Sequence, residues 1–261
     1  DFSYASRPIS AMELAEAKAN GIEYIELPVA FDAITVVVNP KNTWLTQLTM
    51  DELKTMWAPE AQGKIDNWKQ VNSSWPDKPL KLYGPGADSG TFDYFTEAVT
   101  GKSKSSRGDF TASEDDNVLV QGVSGDENAL GYFGLAYYTE NKGKLKAVPI
   151  VNPKGVAVTP SEETVKAGTY VPLARPIFIY VNKKSLERPE VRRFVEFYLT
   201  NGGELANEVA YVALPSDAYQ QALARVRAGK VGTAFGGHNE TGLAIDELFR
   251  RELHTEPQEK K

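Results

Sequence analysis

Two short apolar runs constrain this chain more than anything else in it. Residues 33–38 read Ala-Ile-Thr-Val-Val-Val, and residues 177–181 read Ile-Phe-Ile-Tyr-Val. Neither run alternates apolar with polar residues, so neither suits a strand with one wet face. Each suits a strand covered on both faces, the kind found in sheets with helices packed against them. Both end in asparagine, at Asn39 and Asn182, and Pro172 and Pro176 stiffen the approach to the second. Two such strands flanking a middle section are what a chain needs to leave one lobe, build another and return. Boundaries are therefore expected before Ala33 and before Ile177.

The remaining pattern alternates short strands with helices, which points to an α/β architecture. Residues 10–20 read as a helix: Ser10 is a cap, Glu13 completes a capping box and Gly21 ends it. Residues 24–29, 80–83, 130–133 and 145–150 read as further strands. Helices are expected over 48–57, stopped by Pro59, and over 92–99, where Phe92, Phe95 and Val99 share one face. Others are expected over 116–123, 188–199, 203–209 and 217–228, the first turn of the 188–199 helix holding Pro189.

A length of 261 residues suits one large domain or two ordinary lobes, and no stretch approaches the ~18 apolar residues of a membrane span. The first residues, Asp1-Phe2-Ser3-Tyr4, lack the charged head and apolar run of a signal peptide. The absence of cysteine excludes thiolate catalysis, zinc–thiolate sites and iron–sulfur clusters, and leaves the compartment open. A formal net charge of −6 argues against nucleic acid, which needs a basic footprint. An anion bound here must be bound locally, against the charge of the whole. His238 and His254 are too far apart for an i, i+4 metal pair, and no G-x-S-x-G elbow accompanies them. Both are expected to be solvated, in a polar, frayed ending.

The most informative stretch joins a strand to a helix: Gly84-Pro85-Gly86-Ala87-Asp88-Ser89-Gly90-Thr91. A helix N-terminus offers unpaired N–H groups and about half a positive charge. A phosphate or sulfate there would meet the backbone of Ser89, Gly90 and Thr91 and two hydroxyls, and Gly90 has no Cβ to hold it off. The alternative is a plain helix cap by Asp88 or Ser89. No Gly-Lys-Ser/Thr follows, so this is not a Walker loop. Ser6 and Arg7 occupy a second strand-to-helix junction, where the fork of an arginine can grip an oxyanion bidentately; the alternative is a surface arginine.

Together these segments resemble the phosphate-binding proteins of high-affinity phosphate ABC transporters. The resemblance covers most of the chain. It runs through residues 1–9, 33–39, 48–57 with Trp68, 88–92 and 129–132, and reappears at 175–181 and 211–215. It implies a two-lobed periplasmic-binding-protein (type II) α/β fold, with three-layer lobes around mixed sheets joined by two hinge strands. Residues 1–30 and 178–261 would form lobe I, and 31–177 lobe II. It implies an extracytoplasmic monomer that captures inorganic phosphate between the lobes and delivers it to a membrane permease, with no cofactor and no catalysis. Carried over by position, Ser6 and Arg7 bind phosphate from one lobe, and Ser89, Gly90 and Thr91 from the other.

The best-known form of the family has aspartate where this chain has Arg7, and arginine where an ungapped match gives Pro85. The positive charge has thus moved between lobes, as in the branch carrying Ser-Arg-Pro, and the usual proton acceptor is left unassigned. Hydrogen phosphate carries a proton and sulfate does not, so a buried acceptor can separate them by about 10⁴-fold. Asp88 is the first candidate, with Asp116 behind it; the alternative for Asp88 is a cap that points away from ligand. Family members also begin with a strand–helix–strand unit of at least ~30 residues, and this sequence starts after it. Residues 1–261 alone are accordingly expected to bind phosphate poorly. Competing readings are a binding protein for sulfate, a phosphatase-like enzyme using the same anion pocket, and a ligand-free structural or adhesion role. Acidic pairs such as Asp115-Asp116 and Glu162-Glu163 would then be metal ligands in the enzyme, or simply solvated turns.

Overall fold

Along the chain the elements are β1 (Phe2–Ala5), α1 (Ala11–Ala19), β2 (Tyr24–Val38), α2 (Met50–Trp57), α3 (Trp68–Val71), β3 (Lys81–Gly84), α4 (Gly90–Thr100), β4 (Thr111–Ala112) and α5 (Asp116–Gly125). They continue with β5 (Ala129–Gly134), α6 (Leu135–Glu140), β6 (Lys146–Ala147), β7 (Ile150–Val151), β8 (Ala157–Val158) and α7 (Glu162–Lys166). The last are β9 (Ala174–Asn182), α8 (Pro189–Thr200), α9 (Gly202–Glu208), α10 (Ser216–Arg227) and α11 (Ile245–Arg250). This computed structural model describes residues 1–209, 211–238, 240 and 243–259. The fold is mixed α/β, and the chain divides into two compact units. Residues 1–32, 165–168 and 174–261 form the first, and 33–164 and 169–173 the second.

The two expected strands over 24–29 and 33–38 are one strand of 15 residues, β2. Ala30 and Phe31 between them are buried and Asp32 follows, and their burial and pairing keep the chain extended through all three. Pro28 does not break the strand, because its fixed φ is compatible with extended backbone.

In the first unit β1 pairs antiparallel with β9, Phe2 opposite Val181 and Ala5 opposite Phe178. β9 in turn neighbours β2. Phe178 packs with Ala234, Phe235, Leu243 and Leu248 in the core. The capping box on α1 is formed as the sequence requires, with Ser10 Oγ accepting from Glu13 N and Glu13 accepting from Ser10 N. The C-terminal histidines are not frayed. Thr233 and His254 exchange backbone hydrogen bonds of 3.0 and 2.8 Å, and His238 Nε2 lies 2.7 Å from Gln258 O. Backbone pairing holds this polar stretch, and its side chains carried no sign of it. Gly232, at φ +104°, is what lets the His254 carbonyl approach so closely. Lys260 and Lys261, the end of the expected frayed tail, lie outside the described residues.

In the second unit residues Ile34 to Val38 of β2 pair antiparallel with β5. β5 and β4 both run parallel to β3. The expected strand over 145–150 is two shorter pieces, β6 on β2 and β7 on β8. Pro149 separates them, since it has no N–H to continue a ladder. Val37, Leu119, Val123, Ala129 and Phe133 fill one core cluster. Beside β3, the rings of Phe95 and Tyr132 stack with centroids 3.6 Å apart, and Trp57 meets them edge-on at 5.4 and 5.0 Å. Among the described residues no helix is long and apolar enough to cross a membrane.

Candidate functional site

Three parallel strands, β5, β3 and β4, end on the same side of the second unit, and the turns leaving β3 and β4 run into helices. In open α/β sheets ligands bind at such carboxyl ends. The turn after β3 starts from a fixed base. Gly84, Pro85 and Gly86 are buried, and a Cβ on Gly84 would stand 2.7 Å from Tyr132 Cε1. The turn then rises into solvent at Ala87 and Asp88 before Ser89 caps α4. Ser89 Oγ accepts from Thr91 N at 3.2 Å, so the cap is Ser89 and not Asp88. A hydroxyl that accepts in this way still has a hydrogen to donate. Capping and anion binding are therefore compatible in one side chain. No atom stands within 4 Å of where a Cβ on Gly90 would be, so the helix end presents its backbone to open space.

Charge around this turn is mixed. Lys104 Nζ lies 3.4 Å from Ala87 O and 3.8 Å from Asp93 Oδ1, adding a cation that no sequence motif announced. On the other side β4 brings in an acidic turn, with Ser113 N donating to Gly84 O at 3.2 Å. Glu114 Oε1 stands 2.1 Å from where a Gly86 Cβ would be, so the two turns meet at Gly86. Asp115 caps α5 by accepting from Asn117 N. Half-buried Asp116 has its pKa pushed up to about 6, first by burial and then by the charges of Asp115 and Glu114.

Ser6 and Arg7 lie at the junction between β1 and α1 in the first unit. The Arg7 guanidinium is held bidentately, Nη1 to Glu13 Oε2 at 2.8 Å and Nη2 to Glu13 Oε1 at 2.9 Å. Nη1 also donates to Pro8 O. Glu13, which serves the capping box at the same time, has its carboxyl drawn down to about 2, chiefly by Arg7. Ile9 N donates to the Tyr180 hydroxyl at 2.8 Å. A cavity of about 670 Å³ opens beside the junction, with Ser6, Arg7, Ile9, Tyr24 and Tyr180 in its lining. At the same end of β9, Arg175 Nη2 lies 3.6 Å from Asp32 Oδ2. Burial pushes the Asp32 carboxyl up and Arg175 pulls it back. Sequence reading passed over this pair because its members lie far apart in the chain.

The sequence-predicted residues thus fall into two groups, Ser6 with Arg7 in the first unit and Asp88 to Thr91 in the second. Each group ends a strand and opens a helix. Among the described residues no cluster of three His, Cys, Asp or Glu could hold a metal ion.

Comparison with known proteins shows the family of the chain. A family model described as a PBP superfamily domain matches residues 1–201. Protein SphX of Synechococcus elongatus is 52% identical over 252 residues, covering 97% of this chain and 74% of that protein. The phosphate-binding protein PstS of Staphylococcus haemolyticus is 41% identical over 226 residues, covering 85% of this chain and 68% of that protein. A crystal structure of a possible phosphate binding protein from Planctomyces limnophilus is 47% identical, with a TM-score of 0.83 over 88% of this chain and 81% of that one.

Proposed function

The chain belongs to the PBP superfamily, and within it to the family of protein SphX and the phosphate-binding protein PstS; on that premise we propose that it captures inorganic phosphate outside the cytoplasm and hands it to the membrane permease of an ABC importer. It does so as a monomeric binding protein, without a catalytic step. The observation that carries this reading is the N-terminus of α4, where Ser89 keeps a hydroxyl hydrogen to donate and Gly90 leaves the backbone open. A phosphate there meets the positive end of the helix dipole together with the Ser89 and Thr91 hydroxyls. Ser6 and Arg7 form the second donor set, the guanidinium supplying the charge that the acidic chain lacks overall. Glu13 orients Arg7 through the bidentate pair.

Selectivity over sulfate needs an acceptor for the phosphate proton. Asp88 belongs to the proposed site by position, beside Ser89, but it is exposed. Asp116 is the better acceptor of the two, because it is half-buried and, with a pKa of about 6, is ionised at neutral pH yet more basic than an ordinary aspartate. A phosphate ester loses its second proton at about the same pH, so the two groups are matched for sharing one. Calorimetry on Arg7→Ala and Thr91→Ala in the full-length protein tests the reading. Each is expected to weaken phosphate by about 10- to 100-fold, the range for one hydrogen bond to a charged group. If neither changes phosphate affinity, the assignment fails.

A further inference from the structure

We propose that Glu26 is a positioning residue for the phosphate-binding junction at residues 6–9, acting through the Tyr180 hydroxyl; this rests on the reading of Ser6 and Arg7 given above. Glu26 lies inside the first unit with 1% of its surface exposed. Its Oε2 accepts from the Tyr180 hydroxyl at 2.9 Å and from Thr233 Oγ1 at 2.6 Å, and its Oε1 accepts from Ala234 N at 3.1 Å. Both hydroxyls already accept from a backbone amide, Tyr180 from Ile9 N at 2.8 Å and Thr233 from Phe235 N at 3.1 Å. Each therefore has its hydrogen to send to Glu26. Burial pushes the Glu26 carboxyl up, while these donors and Arg225 favour the ionised form.

The consequence reaches the junction. Pro8 has no N–H, so Ile9 supplies the first amide after Arg7 that can be tied down. The next amide, of Ser10, is held by Glu13 within the same short stretch of chain. The Ile9–Tyr180 bond ties residues 6–9 to the interior of the unit, and its polarity is set by Glu26. An acceptor-only carboxylate turns the Tyr180 hydrogen inward and leaves the oxygen facing Ile9. An amide in its place can instead donate to that oxygen and compete with Ile9 for it.

A purely structural role for Glu26 would be to anchor β2 to Thr233 and Ala234. The two roles separate by mutation, because Thr233→Val removes a donor from the same oxygen of Glu26 without touching the path to Ile9. Tyr180→Phe, Glu26→Gln and Thr233→Val are compared in the full-length protein by three measurements: phosphate affinity, melting temperature and hydrogen exchange of the Ile9 amide. All three variants are expected to melt earlier. Tyr180→Phe and Glu26→Gln should also weaken phosphate by about tenfold, as when one hydrogen bond to a charged ligand is misaligned, and speed exchange at Ile9. Thr233→Val should stay within about twofold on both. If Tyr180→Phe binds phosphate as the unmutated protein does while Ile9 exchanges freely, the proposal is overturned. Equal loss of affinity in Thr233→Val overturns it as well. Should Glu26→Gln fail to fold, Tyr180→Phe against Thr233→Val decides alone. Arg7→Ala is the control: if it leaves affinity unchanged, the phosphate reading of the junction falls, whereas a loss there with none in Tyr180→Phe removes this inference only.

Discussion

Replacing Ser89 by aspartate separates a helix cap from an anion site. Aspartate caps a helix about as well as serine, and Ser89 Oγ already accepts from Thr91 N in the geometry an aspartate would use. Stability should therefore be almost unchanged. Phosphate, in contrast, loses a hydroxyl donor and gains a negative neighbour. The lost hydrogen bond to a charged group is about 1.5–3 kcal/mol. One unit of charge against another at 4 Å, with an effective dielectric of 20, adds about 4 kcal/mol of repulsion. With about 1.4 kcal/mol for each factor of ten, even half of that sum weakens phosphate about a hundredfold, and the whole reaches well beyond a thousandfold. Ser89→Ala is the complementary variant. It removes the cap, at about 1 kcal/mol of stability, and the donor without adding charge, so its affinity should fall only about 10- to 100-fold. Calorimetric titration with phosphate beside a melting curve reads both quantities. Phosphate affinity within threefold of the unmutated protein in Ser89→Asp would refute the reasoning and leave α4 with an ordinary capped end.

Two further predictions concern the surroundings of that turn. The Asp116 pKa is raised to about 6, so the folded state holds a proton that the unfolded chain releases near pH 4. Stability is thus fully present below about pH 4 and falls as pH rises to about 6. Asp116→Asn should stabilise the protein at pH 7 by about 1 kcal/mol, after discounting for solvent screening of a half-exposed group, and leave it unchanged at pH 4. No gain at pH 7 would show that neither burial nor the charges of Asp115 and Glu114 penalise the ionised Asp116. Gly84→Ala would set a Cβ 2.7 Å from Tyr132 Cε1 and 3.3 Å from Trp57. Overpacking of this kind costs about 1–3 kcal/mol, and a melting temperature equal to that of the unmutated protein would mean that the aromatic base of the turn is looser than described.

The parts of the fold that the sequence makes legible are those encoded by neighbours. The capping boxes of Ser10 with Glu13 and of Thr49 with Glu52, Pro189 opening α8, and Ser89 opening α4 are all local chemistry. The β-branched runs of β2 and β9 are legible because burial on both faces leaves a compositional mark. Continuity of β2 through Ala30 to Asp32 left none, since three residues can as easily turn as extend until their partners are known. The same limit applies at the candidate site. The strand-to-helix turns at Ser6 and Ser89 could be read, but Lys104 and Glu114 come to the second turn only through the chain path after α4 and the pairing of β4 with β3. Glu26, Tyr180 and Ile9 lie on three separate segments, and their hydrogen-bond path follows from the order β1, β9, β2 in the sheet. Asp88 and Asp116 can both be named from the sequence as acceptors, but that Asp88 is exposed and Asp116 half-buried cannot be read from adjacent letters. The acid excess of −6 keeps its meaning: on the proposed reading, capture of an anion falls to Arg7, a helix end and a few hydroxyls.

Competition for radiolabelled phosphate tests the central claim most directly. The full-length protein, loaded with trace phosphate near neutral pH, is challenged with unlabelled phosphate, arsenate and sulfate in turn. Arsenate has the charge and proton of phosphate, whereas sulfate has no proton to offer an acceptor. The account predicts displacement by phosphate and by arsenate, and retention of the label under a large excess of sulfate. Displacement by sulfate at concentrations similar to phosphate, or failure to retain any label, would contradict it.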